Sequence, residues 1–266
     1  MRKRNPATLA DAQPEPLLVS RVRNSLTFSG RGIPSGGVAP PSNRSTILGR
    51  RALPAGRRAP ENLSPNFGLG TLGGADLPAG FPDWKTMFGR EAPLEVDIGF
   101  GKGEFLLELS ARHPEVDYVG LEYSRKRAWR LRDRIVRLDR RNVRLVFGEA
   151  AFLVPNLFGP GTVRAFTINF PDPWPKRRHH KRRLVTRPFG EKLAVALAPQ
   201  GTITLATDFR PYAEQMIEEL SGVPGLLPEF GRGFAQSLPD RVETLYEKKF
   251  REGGRTNYYL RFRRHE

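Results

Sequence analysis

Four acidic residues each stand at the end of a short apolar run, where an incoming ligand would meet them. They are Asp97 in LEVDIGFGKG, Glu122 in DYVGLE, Glu149 in VRLVFGE and Asp172 in AFTINFPDPWP. The first run opens into a glycine turn, Gly99-Phe100-Gly101-Lys102-Gly103. Gly99 and Gly101 let the backbone reverse tightly and approach a ligand, and the helix start behind them offers unpaired N–H groups. A dinucleotide fingerprint requires a third glycine in G-x-G-x-x-G, and that position is Glu104. This counts against a nicotinamide cofactor and favours a nucleoside with no pyrophosphate to cradle. Glu122 is placed to accept from both ribose hydroxyls, and Glu149 from an adenine amino group. Any one of these acids is equally a solvated strand-end charge; the set beside a glycine turn is what points to a ligand.

Asp172 is different because prolines flank it. Pro171 and Pro173 fix their own φ and restrict the residue before each, so the loop is stiff. One acid and one large aromatic, Trp174, on a stiff loop suit holding a planar base; the plainer alternative is a proline turn with Trp174 capping the core. Lys176-Arg-Arg-His-His-Lys-Arg-Arg183 follows, eight residues with no acid. Like charges so dense inside a fold call for an anion, and phosphate is the expected one. Arg177, Arg178, Lys181, Arg182 and Arg183 are therefore expected RNA phosphate contacts. The two histidines have no partner at ligand spacing, so no metal site is expected.

The elements that would position these residues alternate. Apolar runs predict strands over 94–98, 117–121, 143–147, 165–169 and 201–207, with helices over 104–113, 124–138 and 211–221 between them. A further helix starts at Thr186 as N-cap, with Pro188 in its first turn, and runs to 197. The pattern predicts an α/β fold, a doubly wound and mostly parallel sheet, whose ligand lies beyond the carboxyl ends of the strands. Helix 124–138 carries Ala128, Leu131, Ile135 and Leu138 inward. Arg127, Arg130, Arg134, Arg137 and Arg141 form a second stripe, which reads as a nucleic-acid ridge, with a solvated face as the alternative.

The chain has 266 residues, 44 Lys and Arg against 28 Asp and Glu, and a net charge of +16, which makes a polyanion the expected partner. It has no cysteine, so disulfides, thiol nucleophiles and cysteine-held metals are excluded. No apolar run approaches the roughly 18 residues of a spanning helix, and the first residues lack the apolar core of a secretory signal. A cytoplasmic protein with no membrane partner is expected; neither monomer nor homodimer is specified. Residues 1–80 are rich in Gly and Pro and have no apolar period, which predicts disorder. They read as a solvated tail, with a basic RNA-contacting arm or a transit peptide as the alternatives.

With these residues in view, the chain resembles the tRNA (guanine-N7)-methyltransferase family of single-subunit bacterial type. The carrying motifs are FGREAP, VDIGFGKGEF, VGLEYS, FPDPWPKRRHHKRRLV, LATDFRPYAEQM and TLYEKKF, within residues 81–266. The resemblance implies a Rossmann-like class I methyltransferase domain over 81–266, with S-adenosylmethionine as donor and no metal. It implies guanine 46 of the tRNA variable loop as acceptor. By motif, Asp97, Glu122, Glu149 and Asp172 match donor-binding acids, Asp172 also matches the active-site residue, and Lys176, Asp208, Thr244 and Glu247 match substrate contacts. Asp172 would act beside the base or by orienting donor and base together, and Asp208 would accept from the guanine N1–H and amino group. Glu149 stands where the family commonly has Asp. A methyltransferase for another RNA or for protein, and a non-catalytic RNA-binding module, are the competing classes.

Overall fold

A computed structural model describes residues 69–71, 80–231, 233–238 and 241–265. Its centre is one eight-stranded sheet in the order β1-β4-β3-β2-β5-β6-β8-β7. The strands are β1 (Leu69–Thr71), β2 (Leu94–Ile98), β3 (Asp117–Glu122), β4 (Val143–Phe147), β5 (Val163–Asn169), β6 (Leu197–Thr207), β7 (Leu226–Pro228) and β8 (Tyr258–Arg264). All pairings from β1 to β6 are parallel; β8 runs antiparallel to both β6 and β7. The helices are α1 (Trp84–Phe88), α2 (Glu104–Arg112), α3 (Arg125–Arg137), α4 (Ala150–Leu157), α5 (Arg187–Ala196), α6 (Arg210–Ser221) and α7 (Leu245–Glu252).

The predicted strands and helices form, with shifts of a few residues at some ends. Strands buried on both faces read as continuous apolar runs because helices cover each side. On one face α2 and α3 pack Leu106, Leu107, Ala128, Leu131 and Ile135 against Tyr118, Val143 and Leu145. On the other, α4, α5 and α6 bring Leu153, Leu157, Phe189, Leu193, Ala213 and Met216 onto Val96, Phe166, Ile203 and Leu205. Leu138, expected in the inward stripe of α3, is 44% exposed, because the helix ends at Arg137 and Leu138 is its C-cap. Thr186 does precede α5, but it caps through its carbonyl, which accepts from Gly190, with no side-chain cap bond.

The expectation of disorder over 1–80 falls outside the described residues except at Leu69–Thr71 and Gly80. Leu69–Thr71 pair with Leu145, Val146 and Phe147 as the edge strand beside β4. Strand order reverses at β2, which has β3 on one side and β5 on the other. The glycine turn therefore lies at the switch point, where open α/β sheets bind their ligands.

Candidate active site

The turn after β2 is built from glycines in the left-handed region, with φ of 78° at Gly99, 58° at Gly101 and 80° at Gly103. A Cβ at Gly99 would meet nothing within 4 Å, so the turn faces open space. Glu122, at the end of β3 and 5% exposed, clamps this turn. One carboxylate oxygen accepts from the Gly101 N–H at 2.9 Å, the other from the Ser124 N–H at 2.8 Å. A carboxylate has about four acceptor positions, so capacity remains for a ligand's hydroxyls.

Asp97 sits beside them and is 2% exposed. Neither of its oxygens has a hydrogen-bond partner. Burial pushes its carboxyl up to about 7, with Glu122 adding to the rise and the Arg241 guanidinium opposing it. Glu149 forms the N-cap of α4; it is exposed, and its carboxylate makes no cap bond.

The loop after β5 carries strain where the prolines suggested stiffness. Phe170 and Trp174 have φ of 46° and 42°, a region that disfavours side-chain-bearing residues. Both bracket the exposed Asp172. The Phe170 N–H is tied to the Ala206 carbonyl at 2.8 Å, and Trp174 lies under the Arg182 guanidinium, 4.9 Å from its ring centre, with His179 edge-on.

The basic run is a 3-10 helix, Arg177–Arg182, with Lys176 as its N-cap. Lys176, Arg177, Arg178, Lys181 and Arg182 are exposed. Arg183 corrects the expectation of a phosphate contact: it is 5% exposed and turned inward, donating to the Pro173 carbonyl at 2.8 Å and to Gln215. A period of three along the run brings Lys176, His179 and Arg182 to one side and His180 and Arg183 to the next, and the buried Val185 follows.

The arginine stripe of α3 is also partly engaged within the fold. Arg127 lies 3.8 Å from Glu122, and Arg134 donates to the Lys102 carbonyl and to Glu104; Arg141, expected in the stripe, lies beyond the end of α3 and pairs with Asp139. Arg130 and Arg137 are exposed.

Asp208, beyond β6, pairs with Arg255 at 3.2 Å. Thr244 and Glu247 are 8% and 1% exposed and close a capping box on α7. The Glu247 N–H donates to Thr244 Oγ1 at 3.1 Å, and the Thr244 N–H donates to the Glu247 carboxylate. The other Glu247 oxygen receives Arg241 Nε at 2.8 Å. Burial pushes the Glu247 carboxyl up, but the Arg241 charge and the bonds from Arg241 and Thr244 together hold it below the usual range. Arg241 also donates to Asn169, and its guanidinium lies over Phe105 and Tyr259. Arg241, Glu247, Arg255, Asn257 and Tyr259 line a cavity of about 330 Å³. Arg241, Asn169 and Tyr259 are not among the residues expected from the sequence. The spacing R-x-x-T-x-x-E, a capping box preceded by a cation, was the available signal for the first.

Among the described residues no group of three His, Cys, Asp or Glu could hold a metal ion. None of their helices is long and apolar enough to cross a membrane.

A family model described as "Putative methyltransferase" matches residues 91–260. A tRNA (guanine-N(7)-)-methyltransferase of Alkalilimnicola ehrlichii is 39% identical over 225 residues, 84% of this chain and 93% of that protein. The chain belongs to the tRNA (guanine-N7)-methyltransferase family. A member from Leifsonia xyli is 36% identical over 83% of this chain and 95% of its own. A third, from Burkholderia mallei, is 33% identical over 97% of this chain and 88% of its own, so most of residues 1–80 align as well. The matched span of the family model, 91–260, contains every strand-end acid described above.

Proposed function

We propose that this family member transfers the methyl group of S-adenosylmethionine to N7 of guanine 46 in the variable loop of tRNA. It would do so in the cytoplasm, with residues 81–266 as the methyltransferase domain. The observation that carries the reading is Asp97: a fully buried carboxylate with no donor on either oxygen, beside a glycine turn that faces open space. A ligand that brings hydrogen-bond donors or positive charge would match it, and a sulfonium nucleoside with ammonium and hydroxyl groups brings both. Glu122 fits the same ligand, with acceptor capacity left for ribose hydroxyls, and the exposed Glu149 is placed for an adenine amino group.

Bound S-adenosylmethionine supplies a methyl group already activated on positive sulfur, so the protein's task is alignment. Guanine N7 has an in-plane lone pair and no proton, and no general base is needed. Holding the reacting atoms in line near 3 Å contributes several kcal/mol to such a transfer, on the order of what well-oriented intramolecular reactions show. Asp172, fixed between two prolines and two strained residues, would stabilise the positive charge that develops on the purine. Asp208 would accept from the N1–H and amino edge, sharing itself with Arg255. Thr244 and Glu247 would act by holding the start of α7, one wall of the cavity. Lys176, Arg177, Arg178, Lys181 and Arg182 would bind phosphate and carry little base information.

The test is methylation of bulk tRNA with labelled donor, followed by digestion to nucleosides. The expected product is 7-methylguanosine, and Asp172→Ala is expected to slow its formation at least about 100-fold with the fold intact, the scale of losing one aligned electrostatic group. A different methylated nucleoside would overturn the acceptor; near-normal rates in Asp172→Ala would remove that residue from the chemistry.

A further inference from the structure

We propose that Arg183 is a positioning residue that holds the Asp172 loop in its reactive shape from inside the protein, and that it makes no contact with RNA. This rests on the reading of Asp172 given above.

The conformation of Asp172 depends on few torsions. Pro171 and Pro173 fix two φ angles, and what remains is chiefly the ψ angles of the prolines and the two torsions of Asp172 itself. Arg183 Nε grips the Pro173 carbonyl at 2.8 Å, which sets the plane of the peptide following Asp172's neighbour. The next residue, Trp174, is held at φ 42°, a strained conformation that persists only when its surroundings over-determine it.

Arg183 is itself anchored. Its Nη1 donates to Gln215 on α6, and its guanidinium lies 4.7 Å from the centre of the Tyr212 ring. Tyr212 is fully buried, and its hydroxyl accepts from the Val185 N–H at 3.2 Å, which closes the circuit back to the strand of chain after Arg183. The loop is thus pinned to a helix packed on the sheet. The charge serves geometry here: burial lowers the Arg183 pKa and Tyr212 raises it, and Nη2 is buried with no partner. A phosphate contact would need that group at the surface, where its neighbours Lys181 and Arg182 are.

The roles separate in one set of measurements on the full chain: kcat, donor affinity, tRNA affinity and the salt dependence of tRNA affinity. Arg182→Gln is expected to reduce the salt slope by about one unit, as for a lost phosphate contact. Arg183→Met is expected to lower kcat on the order of 100-fold, the effect of displacing a reacting group by about 1 Å. Its donor and tRNA affinities should stay within about twofold and its salt slope should not change. Arg183→Lys, which can still reach one carbonyl, should recover most of kcat. Should Arg183→Met not fold, Arg183→Lys and Gln215→Ala decide the matter: both should lower kcat modestly with an unchanged slope. A reduced salt slope in any Arg183 or Gln215 variant would overturn the proposal, as would an undiminished kcat in all that fold. Failure of the Asp172 reading is a separate result, seen in Asp172→Ala alone.

Discussion

Replacing Asp97 by Asn should stabilise the fold while abolishing donor binding, and the stabilisation should depend on pH in a set way. In the folded chain burial raises the Asp97 carboxyl from an ordinary 3.8 to about 7, with Glu122 on β3 adding to the rise and Arg241 opposing it. The native state therefore holds the proton more tightly than the unfolded chain. The stability associated with this group is fully present below about pH 4 and is lost as pH climbs through 7. The gap between the two values corresponds to about 4 kcal/mol at pH 8, falling to about half a kcal/mol at pH 4. Asparagine has the shape of the protonated acid and cannot ionise, so the Asp97→Asn advantage should follow that curve. Urea unfolding of both proteins at pH 4, 6 and 8 measures it, and calorimetric titration with S-adenosylmethionine measures the loss of binding. An advantage of constant size across pH would refute the assignment of a buried, unpaired charge. Undiminished donor affinity would refute the claim that the Asp97 carboxyl meets the ligand.

Other perturbations test separate parts. Glu122→Gln leaves one of the two backbone donors facing an NH2 group, and a lost charge-assisted bond of about 1.5–3 kcal/mol should weaken donor binding at least about tenfold by titration; unchanged affinity would show that the clamp is irrelevant to the donor. Thr244→Ala removes the N-cap of α7 and should cost about 1 kcal/mol in denaturant unfolding, whereas Thr244→Ser should cost little; equal losses in both would count against the capping box. Gly120→Ala would put a Cβ 2.7 Å from Leu106, 2.8 Å from Phe100 and 2.9 Å from Leu145. Overpacking of this kind costs about 1–3 kcal/mol and should lower Tm by several degrees; an unaltered Tm would mean that the cluster of Phe100, Leu106 and Leu145 on this face of β3 yields freely.

The parallel half of the fold was legible because burial writes itself plainly there. Each strand from 94 to 207 is a compact apolar run, and α2, α3 and α6 show period 3.6. Elsewhere the signal is thin. β8 reads YYLRFRR, in which three of the last four residues are arginine, and β7 has only three residues. α4 contains Pro155, which interrupts a helical reading although the helix forms. At the site, the acids at strand ends followed from topology, since chemistry in such sheets collects there. The inward turn of Arg183 did not follow, because a cation that points to solvent and one that points to a carbonyl look alike in a run of basic residues. The double role of Thr244 and Glu247 was visible as a T-x-x-E pattern, but its meaning depended on knowing that a helix begins at Leu245.

The placement of β8 bears on how the molecule comes into being. This strand follows every other described element in the sequence, yet it lies between β6 and β7 and pairs from Thr202↔Arg263 to Thr207↔Tyr258. On a ribosome that delivers the chain from its amino end, the glycine turn and the acids around it emerge long before that strand does. The donor half of the site can thus gather while synthesis continues. The opposite wall, drawn from Leu238, α7 and Tyr259, includes a residue of β8 itself and has nothing to close against until β8 has been made. A chain cut before Tyr258 should therefore spare the early half and leave the proposed acceptor wall unmade.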